Sequence, residues 1–200
     1  MMQAAEIRAR LTAEWHPGGH VDLRGIACEG RLDLAGCAVA GVDFTGARFP
    51  DGADARGARF LGLSWFGAAQ FDGPADFSDA VFTNDARFEG ARFAARARFN
   101  QTEFRGIGRF DGAVFAGDAD FSDTVAYGNF SLQQVRMTGL ASFHGSEWLG
   151  GLWCQDAILP EATDLGETQV HGRLWLRGAH RAGAVLRTGD FGMSFGYTYR

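Results

Sequence analysis

At 200 residues the chain is long enough for one domain with a continuous core. Its net charge is −5, and all 19 basic residues are arginines. That argues against direct nucleic-acid binding, whose signature is a basic patch. No apolar run approaches the roughly 20 residues of a membrane span.

The start, MMQAAEIRAR, is charged early and lacks the apolar stretch of a signal peptide. Three cysteines at unrelated spacing (Cys28, Cys37, Cys154) point to reduced thiols and a cytoplasmic protein. Residues 4–15 read as a short amphipathic helix, with Ala4, Ile7, Leu11 and Trp15 on one stripe and Glu6 paired with Arg10. Pro17, Gly18 and Gly19 stop it. Residues 1–18 are therefore expected to cap a following repeat. His16 and His20 sit four apart in HPGGH, but proline and glycine forbid the helix that would let them share a metal, so a surface turn is expected.

From residue 21 large apolar residues fall at alternating gaps of five and six. Leu23, Cys28, Leu34 and Val39 begin the series. Phe44 follows Val39 by five where six is due, so one corner residue is missing. Ala55 stands where a phenylalanine is expected, with Leu61 or Leu63 as candidates to fill the space. The pattern is cleanest at Phe77, Phe82, Phe88, Phe93, Phe99, Phe104, Phe110, Phe115 and Phe121, each with a small residue two positions earlier. Helices space apolar residues by three and four and flat strands by two, so neither fits. A chain that turns a corner after each short extended piece does fit: residues i and i−2 share the inward face, and the residues between and beyond point out. Four sides make a coil of 22 residues.

The blocks ADFSD, ARFEG and ADFSD resemble the pentapeptide-repeat motif A(D/N)(L/F)xx, and the resemblance covers roughly residues 21–180. It implies an all-β fold, a right-handed quadrilateral β-helix, here with a short N-terminal capping helix. Four strict five-residue sides would close a coil at about 20 residues. The sixth residue is read as a bulge at alternate corners. A leucine-rich repeat needs LxxLxL, which is absent, and a hexapeptide β-helix needs an unbroken period of six. The expected partition is 1–18 cap, 19–189 β-helix and 190–200 aromatic tail, with about seven to eight coils spanning about 35 Å at 4.8 Å per coil.

After Phe121 the ladder side chains become mixed, and a change of coil shape is expected. Ala126 takes a phenylalanine position, while Phe130 lies off the ladder but alternates with Leu132, so both are expected inward. In the tail, Phe191, Met193, Phe195, Tyr197 and Tyr199 alternate with small residues as in a half-buried strand. Two readings stay open: a strand covering the last coil, or one pairing with a second copy to form a homodimer.

No catalytic constellation emerges, and no cofactor or metal is expected. His144, His171 and His180 are scattered, and no phosphate-cradling loop or zinc-type cysteine pair is present. Positions 22 apart stack in columns. Asp54, Asp76 and Asp120 share one, with Arg98 among them; Trp65, Trp153 and Trp175 share another. Exposed tryptophans mark contact surfaces, so these six residues form the candidate partner surface. The first functional reading is a non-enzymatic scaffold for an unidentified protein partner. The family resemblance implies an alternative: modulation of DNA gyrase by imitating duplex DNA, with the aspartate column as the acidic face. Arg87, Arg92, Arg98, Arg105 and Arg109 interrupt that face.

Overall fold

A computed structural model describes residues 1–199. After one short helix, strands of two or three residues stack into four long sheets, the faces of a four-sided solenoid. Face 1 has nine strands, from His20–Asp22 through Ser64–Trp65 and Leu152–Trp153 to Thr198–Tyr199. Face 2 runs from Arg48–Phe49 to His180–Arg181, face 3 from Leu32–Asp33 to Ala141–Ser142, and face 4 from Ala38–Val39 to Met193–Ser194. Pairing within the faces is parallel except at Ala184–Val185, which folds back antiparallel on His180–Arg181.

Register follows the 22-residue period: Ala53, Ala75, Ala97, Ala119 and Ala141 stand one above another. The first coil is one residue shorter, pairing Leu32 with Ala53 and Ala38 with Arg59, which confirms the missing corner residue. The period also persists beyond Phe121, through Phe130, Leu152 and Leu174. The expected change of coil shape comes only in the last rung, where Leu174 pairs with Thr198 and the insertion 182–190 lengthens the coil. Face 1 thus has nine rungs rather than seven or eight. The tail supplies the ninth, not as one strand but as two, Met193–Ser194 on face 4 and Thr198–Tyr199 on face 1, separated by a corner.

Corners alternate between two designs. After each inward residue of faces 1 and 3 the chain makes a tight turn whose third residue has positive φ, as in Asp79, Gly90, Gln101 and Gly112. The turn is closed by a hydrogen bond such as Ala80 N–H to the Phe77 carbonyl (3.1 Å), and positive φ at that place is what a type II turn requires. Corners after faces 2 and 4 carry the sixth residue instead. There, backbones of successive coils touch. A Cβ on Gly128 would lie 2.5 Å from the Gly106 carbonyl oxygen, and one on Gly150 would collide with Gly128.

The core is four columns of phenylalanine. Within a column rings are nearly parallel: Phe66–Phe88 at 4.6 Å and 1°, Phe71–Phe93 at 4.9 Å and 1°, Phe77–Phe99 at 5.0 Å and 5°. Across columns they meet edge to face, as do Phe88 and Phe99 (5.4 Å, 84°), the geometry ring quadrupoles favour. The hydroxyls of Thr102, Thr124 and Ser146, buried at small-residue positions, donate to the carbonyls of Phe77, Phe99 and Phe121 in the coil before.

Phe130 and Leu132 both point inward. Phe130 occupies a small-residue position, which is open to it because Gly108, its neighbour in the column, has no side chain. Its ring reaches Phe104 (5.3 Å) and Trp148 (6.4 Å), filling the space that Ala126 leaves between those two. Leu61 and Leu63 do not play that part for Ala55: Leu61 is half-buried and Leu63 is exposed at a corner.

The helix, α1 (Ala4–Leu11), lays Ile7 and Leu11 on the first coil, both fully buried. Arg10 bonds Glu6 at 2.6 Å and Arg8 bonds Asp33 at 2.9 Å. Met2–Gln3 pairs with Cys28–Glu29 and extends this cover. The helix ends at Leu11 rather than 15, where the Thr12 hydroxyl turns back to the Arg8 carbonyl. Trp15 therefore lies off the helical stripe, with its Nε1 donating to the Gly19 carbonyl at 2.6 Å.

Candidate interaction surface

Both predicted columns exist. On face 3, Asp54, Asp76, Arg98 and Asp120 stand in successive rungs. Their carboxylates are engaged locally. Each Oδ1 accepts the backbone N–H two residues on, from Arg56, Ser78 and Ser122, which rounds the corner. Asp54 and Asp76 are buried. Arg56 (2.8 Å) and Arg31 (3.4 Å) neutralise Asp54, and Arg98 lies 3.5 Å from Asp76. The Arg56 guanidinium holds the Asp54 carboxyl below the usual carboxylate range.

Face 1 differs. Its outward column reads Trp65, Arg87, Arg109, Ser131, Trp153, Trp175, Tyr199 in consecutive rungs. Six steps of about 4.8 Å make a strip roughly 29 Å long. Trp65, Trp153 and Trp175 are half-buried, and Tyr199 lies on Trp175 at 4.7 Å and 19°. The indole Nε1 atoms of Trp65 and Trp175, and the Nε atoms of Arg87 and Arg109, are screened from water without a hydrogen-bond partner. The arginines meet acids only at 3.6–3.8 Å: Asp85 for Arg87, Glu89 and Asp111 for Arg109. Arithmetic on the period would have placed both arginines with the tryptophans, since 87 and 109 follow 65 in steps of 22.

Other candidate groups are plain by comparison. His20 is exposed, its ring 6.3 Å from that of Trp65, and the His16 carbonyl accepts the Gly19 N–H. His144 is brought to Asp164 (3.3 Å) and Glu167 (3.8 Å), neighbours one coil on that linear spacing conceals. Burial pushes the Cys154 thiol up to about 12 and raises Cys28 also, so neither is poised as a nucleophile. No helix among the described residues is long and apolar enough to cross a membrane.

The sequence matches the family model for pentapeptide repeats (9 copies) over residues 23–70, 66–111 and 99–147. This chain belongs to the pentapeptide-repeat family. The matched stretches hold the clean phenylalanine ladder and all of the aspartate column, while Trp153, Trp175 and the last coils lie beyond them. No curated protein matches the sequence. What the family assignment carries is a repeat scaffold.

Proposed function

We propose that this pentapeptide-repeat protein is a non-enzymatic scaffold that holds a protein partner along face 1. The observation that carries the reading is the outward column of three tryptophans, two arginines and a tyrosine, with Ser131 between Arg109 and Trp153. Tryptophan, tyrosine and arginine dominate interface hot spots, and the Arg87 and Arg109 side chains remain 43% and 41% exposed to a partner. Imitation of duplex DNA toward gyrase needs a continuous acidic face. The aspartate column is spent on corner turns and arginine pairs, so it lends that alternative no support. The apolar side chains of the last rung, Met193, Phe195 and Tyr197, are half to four-fifths exposed, and we assign them to contact with a second copy of the chain.

The test places a photo-crosslinking residue at position 153 and, in a second protein, at position 98 on the opposite face. The expected result is one protein adduct from 153 that is absent from 98 and lost with Arg87→Glu. Adducts that are equal from both faces, or unchanged by Arg87→Glu, would overturn the reading.

A further inference from the structure

The strip on face 1 ends in a pocket. The segment after α1 doubles back so that Trp15 and His20 face Trp65, and Leu63, Val42 and Asn84 complete a cleft of about 320 Å³. The cleft is built before anything binds. Trp15 is tied to the Gly19 carbonyl, and Gly19 N–H to the His16 carbonyl at 3.0 Å, so the loop is closed on itself. The ring then rests against bare backbone: a Cβ on Gly62 would lie 2.7 Å from Gly41 Cα and 3.1 Å from Trp15 Cζ2. A Cβ on Gly41 would lie 2.7 Å from the Gly19 carbonyl oxygen. Glycine at 41 and 62 is what lets the indole stand where it does.

The lining fixes the chemistry of the occupant. It holds two indoles, an imidazole, the Asn84 carboxamide and aliphatic carbon, with no carboxylate and no guanidinium. A charged group entering would lose water without gaining a counter-charge. A neutral planar ring would gain offset or edge contacts with both indoles. The volume is at the small end of the range for ligand sites, about 300–1,000 Å³, so it suits one ring system. The pocket is also continuous with the outward column, since Trp65 belongs to both.

We infer that the Trp15–Trp65 pocket receives one neutral aromatic side chain of the partner protein, as the anchor at one end of the face 1 contact. This rests on the scaffold reading above. It adds that the partner presents an aromatic residue at the edge of its footprint, with the remaining contact running toward Arg87 and Arg109.

The experiment is a nuclear magnetic resonance titration of the free, full chain, following the tryptophan indole N–H signals. The probes are N-acetyltryptophanamide, N-acetylleucinamide and tetramethylammonium. The expected result is a saturable shift of the Trp15 and Trp65 signals by N-acetyltryptophanamide, at least about tenfold tighter than by the other two, or roughly 1.4 kcal/mol. Trp15→Ala and Leu63→Glu should each abolish it. Leu63 is 43% exposed, so its replacement keeps the test valid should the Trp15 variant fold poorly. Tightest binding of tetramethylammonium, no saturable shift with any probe, or an undiminished shift in Leu63→Glu would each overturn the pocket assignment. Because no partner is present, such a failure leaves the crosslinking test of the scaffold reading untouched.

Discussion

Phe99 touches five other phenylalanine rings, stacked on Phe77 and Phe121 and edge-on to Phe88, Phe93 and Phe110. Those neighbours are pinned by their own columns and cannot collapse into a gap. Phe99→Ala is therefore expected to cost about 3–5 kcal/mol in urea unfolding; a loss below about 1 kcal/mol would show the ring contributes little to the sealed core. Ala126 gives a sharper test. Ala126→Phe restores the repeat pattern yet should destabilise by about 1–3 kcal/mol, because Phe130 already fills the space. Adding Phe130→Ala should recover much of that loss, and simple additivity of the two would refute the compensation. Asp54 makes a prediction about pH. Its folded-state carboxyl is held low by Arg56, so the stabilisation is complete above its unfolded value of about 3.9 and is lost as pH falls through the folded value. Urea midpoints of the parent and Asp54→Asn should differ most near neutrality and converge only as the pH falls below the usual carboxylate range.

At the scale of the coil, what was legible in the sequence was whatever obeys the period. The inward ladder, the missing residue before Phe44 and the tryptophan column all follow from counting, because stacked strands keep side chains in register. The sixth residue was legible as an irregularity but not as a contact. Only the stacked coils show backbones of the long corners touching, which leaves no room for a Cβ. Gly150→Ala should accordingly lower the urea midpoint by an amount equivalent to about 1–3 kcal/mol, while substitution at Gly189, which has open space around it, should change little. Equal effects at the two positions would argue against close approach as the reason for glycine. An eleven-residue spacing from Ala4 puts Trp15 on a helical stripe, but Thr12 ends the helix first. The Trp15–Trp65 pocket stayed hidden for the same reason, since its walls come from a loop outside the period and from a column inside it. The tail's alternation fits one strand, whereas the corner between Ser194 and Thr198 turns its halves onto different faces.

Over the whole molecule, nine rungs on face 1 leave eight steps, about 38 Å at 4.8 Å each, in one uninterrupted stack. Its two ends are unlike. At one, α1 and Met2–Gln3 lie over the first coil; at the other, Phe195 and Tyr197 are 61% and 80% exposed. If the far end pairs two copies, light scattering should give twice the chain mass for the parent and the single mass for Tyr197→Asp. A single mass for both would remove the second-copy assignment. On that pairing the cover at the first end would decide what kind of assembly forms. A stack of identical rungs is a template that could add copies head to tail without limit, since an open rotation-and-translation contact never closes. With α1 obstructing one end, two chains meeting at the other do so by the same patch on each. Such a contact would be isologous and use itself up, so growth would halt at a closed pair, with the eight-residue helix as the chain terminator against fibre formation.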